Sequence, residues 1–198
     1  MSEASDSAYS LAAFRAKTLG YEFEKLVTKD RNVDKSFADG KSTVRRMKLI
    51  DLNLEVALLD KPDATILNLG CGFCSRWQRF PLTRWIQVDF PSIVNKFMTL
   101  DYPKSMRFVG CDINTFDPSQ HKYDIVIAEG SLTYLKLEIV ERLFAAMSGH
   151  RIIFDTDNSK VHYKPLSKVP KHKYLSKFVS HGSVEYKTGS YVYSGILK

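Results

Sequence analysis

Thr65-Ile-Leu-Asn-Leu-Gly-Cys-Gly-Phe-Cys-Ser-Arg76, followed by Arg84-Trp-Ile-Gln-Val-Asp89, decides the fold of this chain. Ile66, Leu67 and Leu69 form a short apolar run, which suits a strand buried on both faces. Gly70 and Gly72 permit a sharp turn and a close backbone approach to a ligand, because neither carries a Cβ. A second apolar run follows and ends in Asp89, where a carboxylate can accept from both hydroxyls of a ribose. Strand, glycine turn and distal acid together predict the front half of a nucleotide-type site in a parallel α/β sheet.

The third position of the turn narrows the ligand. A dinucleotide fingerprint needs a glycine or alanine at position 75, for close helix–strand packing and access to a pyrophosphate. This chain has Ser75. A Gly-x-Gly turn of this kind suits a ligand without a pyrophosphate, such as S-adenosylmethionine, and disfavours an NAD-dependent oxidoreductase.

The rest of the chain extends the alternation. Apolar runs predict strands near 64–69, 84–88, 106–109, 123–128 and 151–155, with helices near 73–80, 91–100 and 136–148. Strands alternating with helices predict a parallel sheet with right-handed crossovers. Residues 110–122 are too short and too rich in Pro and Asp for a full helix, so one crossover is expected to be reduced. Two late strands, 183–187 and 191–197, flank a Thr188-Gly189 turn and predict an antiparallel hairpin. Upstream, residues 8–27 carry apolar side chains at near-helical spacing, 28–42 read as a polar loop, and Ser42 or Thr43 is positioned to cap a helix running to Leu58. Pro62 separates this helical cap or lid, residues 1–60, from a core over 61–198, within one compact domain.

With 198 residues, 44% of them hydrophobic and 12% aromatic, the chain can bury a substantial core and is not a disordered sequence. No apolar run approaches the ~20 residues of a membrane-spanning helix. The N-terminus lacks the basic and apolar regions of a signal peptide, and the cysteine count is odd; the expected location is the cytoplasm. The net charge of +7 is concentrated at the C-terminal end, where residues 156–198 hold eight lysines against Asp157 and Glu185. Such a segment attracts RNA, a membrane surface or an anionic substrate, or is merely solvated. Cys71 and Cys74 have the spacing of a redox pair or half a zinc site, but Cys111 and scattered histidines do not complete one, so no metal is expected.

The segments together resemble the leucine carboxyl methyltransferase family, whose members include bacterial polyketide-type O-methyltransferases. The resemblance rests on Asn68-Leu-Gly-Cys-Gly72, on Arg76 with Arg79-Phe80, on Val88-Asp-Phe-Pro91 with Lys96, on the Asp112-Ile113 pair, and on Glu129-Gly-Ser-Leu-Thr-Tyr-Leu135, with Arg46 on the preceding helix. It covers roughly residues 44–145. It implies a class I, Rossmann-like fold with a mostly parallel seven-stranded sheet, and S-adenosylmethionine as cofactor. It further implies that Arg46 pairs with the cofactor's methionine carboxylate and that Gly70 and Gly72 form its turn. Asp89 would hold the ribose, Asp112 and Ile113 the adenine, and Glu129 would face the methionine amino end. Cys74 and Gln87 depart from the family, which has Asp and Glu there, and the chain is shorter than is usual.

The implied reaction is O-methylation of a small-molecule carboxylate, with Tyr134 orienting the acceptor and Arg15 or the 28–42 loop closing over it. A carboxylate is already ionised near neutral pH, so no general base is needed. The rival readings are an RNA methyltransferase using the lysine-rich segment and an inactive scaffold that keeps the fold. No membrane partner is expected, and the sequence does not specify an oligomeric state.

Overall fold

The computed structural model describes residues 3–29, 40–156, 179, 183–187 and 190–198. Five parallel strands form its centre: β1 (Thr65–Leu69), β2 (Arg84–Asp89), β3 (Arg107–Gly110), β4 (Ile125–Ala128) and β5 (Arg151–Thr156). β6 (Ser183–Lys187) and β7 (Ser190–Ile196) complete a seven-stranded sheet in the order β3-β2-β1-β4-β5-β7-β6. β7 runs antiparallel to both of its neighbours, β5 and β6. The order reverses between β1 and β4, and ligands in open α/β sheets bind beyond the carboxyl ends of the strands at such a switch point. This is the class I methyltransferase architecture expected from the sequence.

The continuous apolar strands have a direct cause. Alternate residues of a strand point to opposite faces, and both faces here are covered. Leu67, Leu69, Val126, Ile152 and Phe154 pack on one side with Val140, Leu143 and Phe144 of helix α6 (Leu137–Ala146). Ile66, Ile125, Ile127 and Ile153 pack on the other side with Ile50 and Leu54 of helix α3 (Gly40–Leu58). Ile93 and Phe97 of helix α5 (Pro91–Phe97) join that second layer. Each fully buried aliphatic or aromatic side chain of this kind stabilises the fold by ~1.5–3 kcal/mol.

Several expected boundaries move. The single helix over 8–27 is two, α1 (Glu3–Leu19) and α2 (Glu22–Thr28), which pack against each other. Gly20 breaks it with φ +71°, a conformation costly for any residue with a Cβ. The helix expected over 73–80 shrinks to α4 (Arg76–Arg79), because the glycine turn continues through Ser75 and Pro81 follows. α3 starts at Gly40, so Ser42 and Thr43 lie inside it and neither caps it. The crossover between β3 and β4 is reduced as expected, to a 3-10 turn at Pro118–Gln120 whose Ser119 amide donates to Asp117 Oδ1 at 3.0 Å. Most of the polar loop (30–39), the Thr188-Gly189 turn and the lysines at 160–177 lie outside the described residues.

Candidate functional site

Register places the ends of β1, β2 and β4 side by side. Leu69 pairs with Val88, and Asn68 pairs with Ile127, so Gly70, Asp89 and Glu129 emerge at one edge. Gly70 and Gly72 hold φ of +66° and +51°, and this turns the chain back over β2. The Gly70 amide donates to Val88 O at 2.8 Å, and the Gly72 amide donates to Asp89 Oδ2 at 2.7 Å. The Phe90 amide donates to Asp89 Oδ1, also at 2.7 Å. Asp89 is therefore clamped by two backbone donors, one per oxygen, and each oxygen keeps a further lone pair. Burial pushes its carboxyl above the ordinary value, and the two backbone hydrogen bonds oppose that rise.

The close neighbour of Gly70 is another part of the protein. A Cβ built there would sit 2.5 Å from Ser131 Cβ and 3.5 Å from Ile113 Cδ1. Position 70 thus needs glycine for its own packing, in addition to any ligand. The Ser131 hydroxyl beside it is buried and has no hydrogen-bond partner among the described residues. α1 runs over the turn: Ala8 Cβ would lie 3.6 Å from a Cβ on Gly72, and the Tyr9 and Phe73 rings meet with centroids 4.6 Å apart.

Beside this turn lies a buried network of guanidinium and carboxylate groups. Glu129, one residue beyond β4, accepts from Arg15 Nη2 at 3.1 Å, Arg46 Nε at 3.3 Å and Arg76 Nη2 at 2.7 Å. Arg76 Nε reaches Asp51 Oδ1 at 2.5 Å, and Arg79 Nη2 reaches Asp51 Oδ2 at 2.8 Å. Arg46 Nη1 reaches Asp155 Oδ2 at 3.3 Å, while Asp155 Oδ1 accepts from the Gly130 amide at 2.5 Å. Glu24, fully buried on α2, accepts from the Ser75 amide and hydroxyl at 3.1 and 2.9 Å, and it also attracts Arg15. Four guanidiniums thus share one region with four carboxylates. Burial alone would raise the Glu129 carboxyl; Arg15, Arg76 and Arg46 outweigh it and hold the group well below the ordinary carboxylate range.

The expected site residues fall into two groups. Arg46 and Glu129 meet in the charged network; Gly70, Gly72, Asp89 and Ile113 meet around the turn. Asp112 is exposed just beyond β3, and its Oδ1 accepts from the Asn114 amide and side chain at 2.9 and 2.7 Å. Tyr134 ends a 3-10 turn, Leu132–Tyr134, and is 37% exposed. Gln87 is a sheet residue: its Oε1 accepts from Asn68 Nδ2 at 2.8 Å on the adjacent strand. Cys71 and Cys74 are buried free thiols, and burial above all pushes the Cys71 thiol well up, away from the reactive thiolate.

Three carboxylates of the network escaped the sequence reading: Asp51, which pairs with Arg76 and Arg79, Asp155 and Glu24. Asp155 ends the apolar run Ile152–Phe154 just as Asp89 ends β2, so the same strand-terminal signal marks it. Glu24 had no such signal. An acid between Phe23 and Lys25 on a short amphipathic helix reads as solvent-facing, and only the tertiary contact with Ser75 shows otherwise.

No family profile matches the chain. It is 26% identical over 145 residues to the tetracenomycin polyketide synthesis O-methyltransferase TcmP of Streptomyces glaucescens, a match covering 63% of this chain and 53% of that protein. The matched part thus spans about half the length of that relative. Among solved structures, the magnesium protoporphyrin IX methyltransferase of Synechocystis with bound SAM superposes with a TM-score of 0.61 at 15% identity, over 96% of this chain and 97% of that one. A TehB-like SAM-dependent methyltransferase of Corynebacterium glutamicum superposes with a TM-score of 0.57 at 14% identity, over 75% and 87% of the two chains. These likenesses establish the fold: the chain has the class I methyltransferase architecture.

Proposed function

We infer that the chain is an S-adenosylmethionine-dependent methyltransferase, and that its acceptor is a carboxylate oxygen of a small molecule. The observation that carries the first part is Asp89. It stands at the switch point of the sheet, fixed by the Gly72 and Phe90 amides, with lone pairs left on both oxygens for a ribose diol. The charged network supports the other end of the cofactor. A methionine moiety is zwitterionic, and interleaved guanidiniums and carboxylates match both of its charges. The buried, unpartnered Ser131 hydroxyl beside Gly70 offers one more polar contact on the same side.

The group supplies an electrophilic methyl on a sulfonium when bound. The protein's own part is positioning and exclusion of water. Arg15, Arg76 and Arg46 hold Glu129 ionised, and α1 covers the glycine turn through Ala8 and Tyr9. A carboxylate acceptor brings its own nucleophilic oxygen, so alignment in a dry pocket is the main demand. Support for the oxygen acceptor comes from TcmP, which is named as an O-methyltransferase of polyketide synthesis.

Transfer of labelled methyl from S-adenosylmethionine to a panel of carboxylic acids and phenols tests this reading. A base-labile methyl ester is expected from one or more acids. Transfer only to phenols, giving base-stable ethers, would leave a methyltransferase with a different acceptor.

A further inference from the structure

α3 has two different faces. Its inner face carries Met47, Ile50, Leu54 and Ala57 into the core, and Arg46 into the charged network. Its outer face, with α1, lines an open groove of about 710 Å³. The floor is Phe14, Val44 and Leu49, all half-buried; the rim includes Lys41, Arg45 and Lys48, all exposed. The α3 members of this lining sit at positions 41, 44, 45, 48 and 49, a spacing that makes one continuous helical face. Leu52, 54% exposed, prolongs that face at the next turn.

The charges of this face stand apart from the ion pairs of the described residues. Arg15, Arg46, Arg76 and Arg79 all make ion pairs, whereas none of the ion pairs among the described residues uses Lys41, Arg45 or Lys48. Asp51 is engaged by Arg76 and Arg79, away from the groove. Three cations thus surround an apolar trough with no carboxylate lining it among the described residues. Binding sites for small organic molecules share this composition: a concave apolar surface of several hundred Å³ with a few charged groups that fix orientation.

We propose that the groove between α1 and α3 is a second ligand site, separate from the switch-point site, for a soluble anionic amphiphile: a carboxylate joined to an aliphatic or aromatic body. The carboxylate meets Arg45 and Lys48, and the body lies on Phe14, Val44 and Leu49. The shape selects a single molecule over a membrane surface. A helix that lies on a bilayer projects its apolar side chains past the charged ones. Here the apolar floor lies below exposed lysine and arginine, so a flat bilayer would meet the charges and leave the floor uncovered.

The test is calorimetric titration of the full chain with dodecanoate, dodecanol, inorganic phosphate and anionic phosphatidylglycerol vesicles. Dodecanoate is expected to bind saturably, with affinity falling as salt is raised. Dodecanol is expected to bind at least tenfold more weakly, and phosphate and vesicles not measurably. Arg45→Gln with Lys48→Gln should lower dodecanoate affinity tenfold or more, and Leu52→Asp should lower it separately. Both variants alter exposed positions, and circular dichroism checks that they fold. Saturating S-adenosylhomocysteine should leave dodecanoate binding unchanged, which separates this site from the reaction site. Equal binding of dodecanol, an unaffected double variant, displacement by S-adenosylhomocysteine, or binding to vesicles in place of the monomer each overturns the proposal.

Discussion

Arg76 and Glu129 form the most buried ion pair among the described residues, with Arg76 Nη2 2.7 Å from Glu129 Oε2 and side chains only 1% and 5% exposed. The pair joins the short helix α4 to the end of β4. Its partners Asp51, Arg15 and Arg46 bring α3 and α1 to the same point. Removing one member strands a buried charge, which costs far more than the pair itself contributes. Arg76→Met is therefore expected to destabilise by ~3–5 kcal/mol, read from urea unfolding. Glu129→Gln added to that variant should cost much less than in the wild type. Additive losses would mean the two residues do not depend on each other.

The same network gives stability an acid limb. Glu129 is held well below its ordinary value of 4.5 in the folded chain. On falling pH the unfolded chain takes up that proton first, so this contribution is intact above the ordinary value and declines below it. Asp89, raised by burial, has the opposite sign and offsets a small part of the loss. Unfolding midpoints measured from neutral pH down should fall below about pH 4.5, and Glu129→Gln should flatten that fall. An equally steep decline in the variant would assign the acid limb to other carboxylates.

Gly70 and Gly20 separate two costs of a Cβ. Both have positive φ, +66° and +71°, but only Gly70 has a neighbour in the way, Ser131 Cβ at 2.5 Å. Gly20→Ala should cost ~1–2 kcal/mol through the backbone alone. Gly70→Ala should cost clearly more, because the loop after β4 must move. Equal losses in thermal unfolding would show that the loop yields freely.

Adjacent arginines give a test of facing. Arg46 spans Glu129 and Asp155, whereas Arg45 is exposed on the outer groove. Arg46→Lys keeps the charge but loses the fork that reaches two carboxylates. It should weaken S-adenosylhomocysteine binding, and Arg45→Lys should not. The reverse result would place the wrong arginine at the site.

What the sequence made legible follows from how local its signals are. β1 and β2 were readable because strands covered on both faces have no polar alternation, and the glycine turn because positive φ demands residues without a Cβ. Asp89 and Glu129 stood out as acids ending apolar runs. The break at Gly20 was missed because the apolar spacing continues across it. The helix after the turn was overextended, because the turn's length depends on Asp89 fixing Gly72, a contact between residues far apart in sequence. Glu24 and the fourfold pairing of arginines with carboxylates were invisible for the same reason: side chains from α1, α2, α3, α4, β5 and the residue after β4 converge only in three dimensions.

Titration calorimetry of S-adenosylhomocysteine into the wild type and into Asp89→Ala tests the central claim most directly. Saturable binding by the wild type is expected. Asp89→Ala should bind at least about tenfold more weakly while its circular dichroism is unchanged, since a hydrogen bond to a charged group contributes ~1.5–3 kcal/mol. No binding by the folded wild type, or equal affinity in the folded variant, would contradict the assignment of the switch point as the cofactor site.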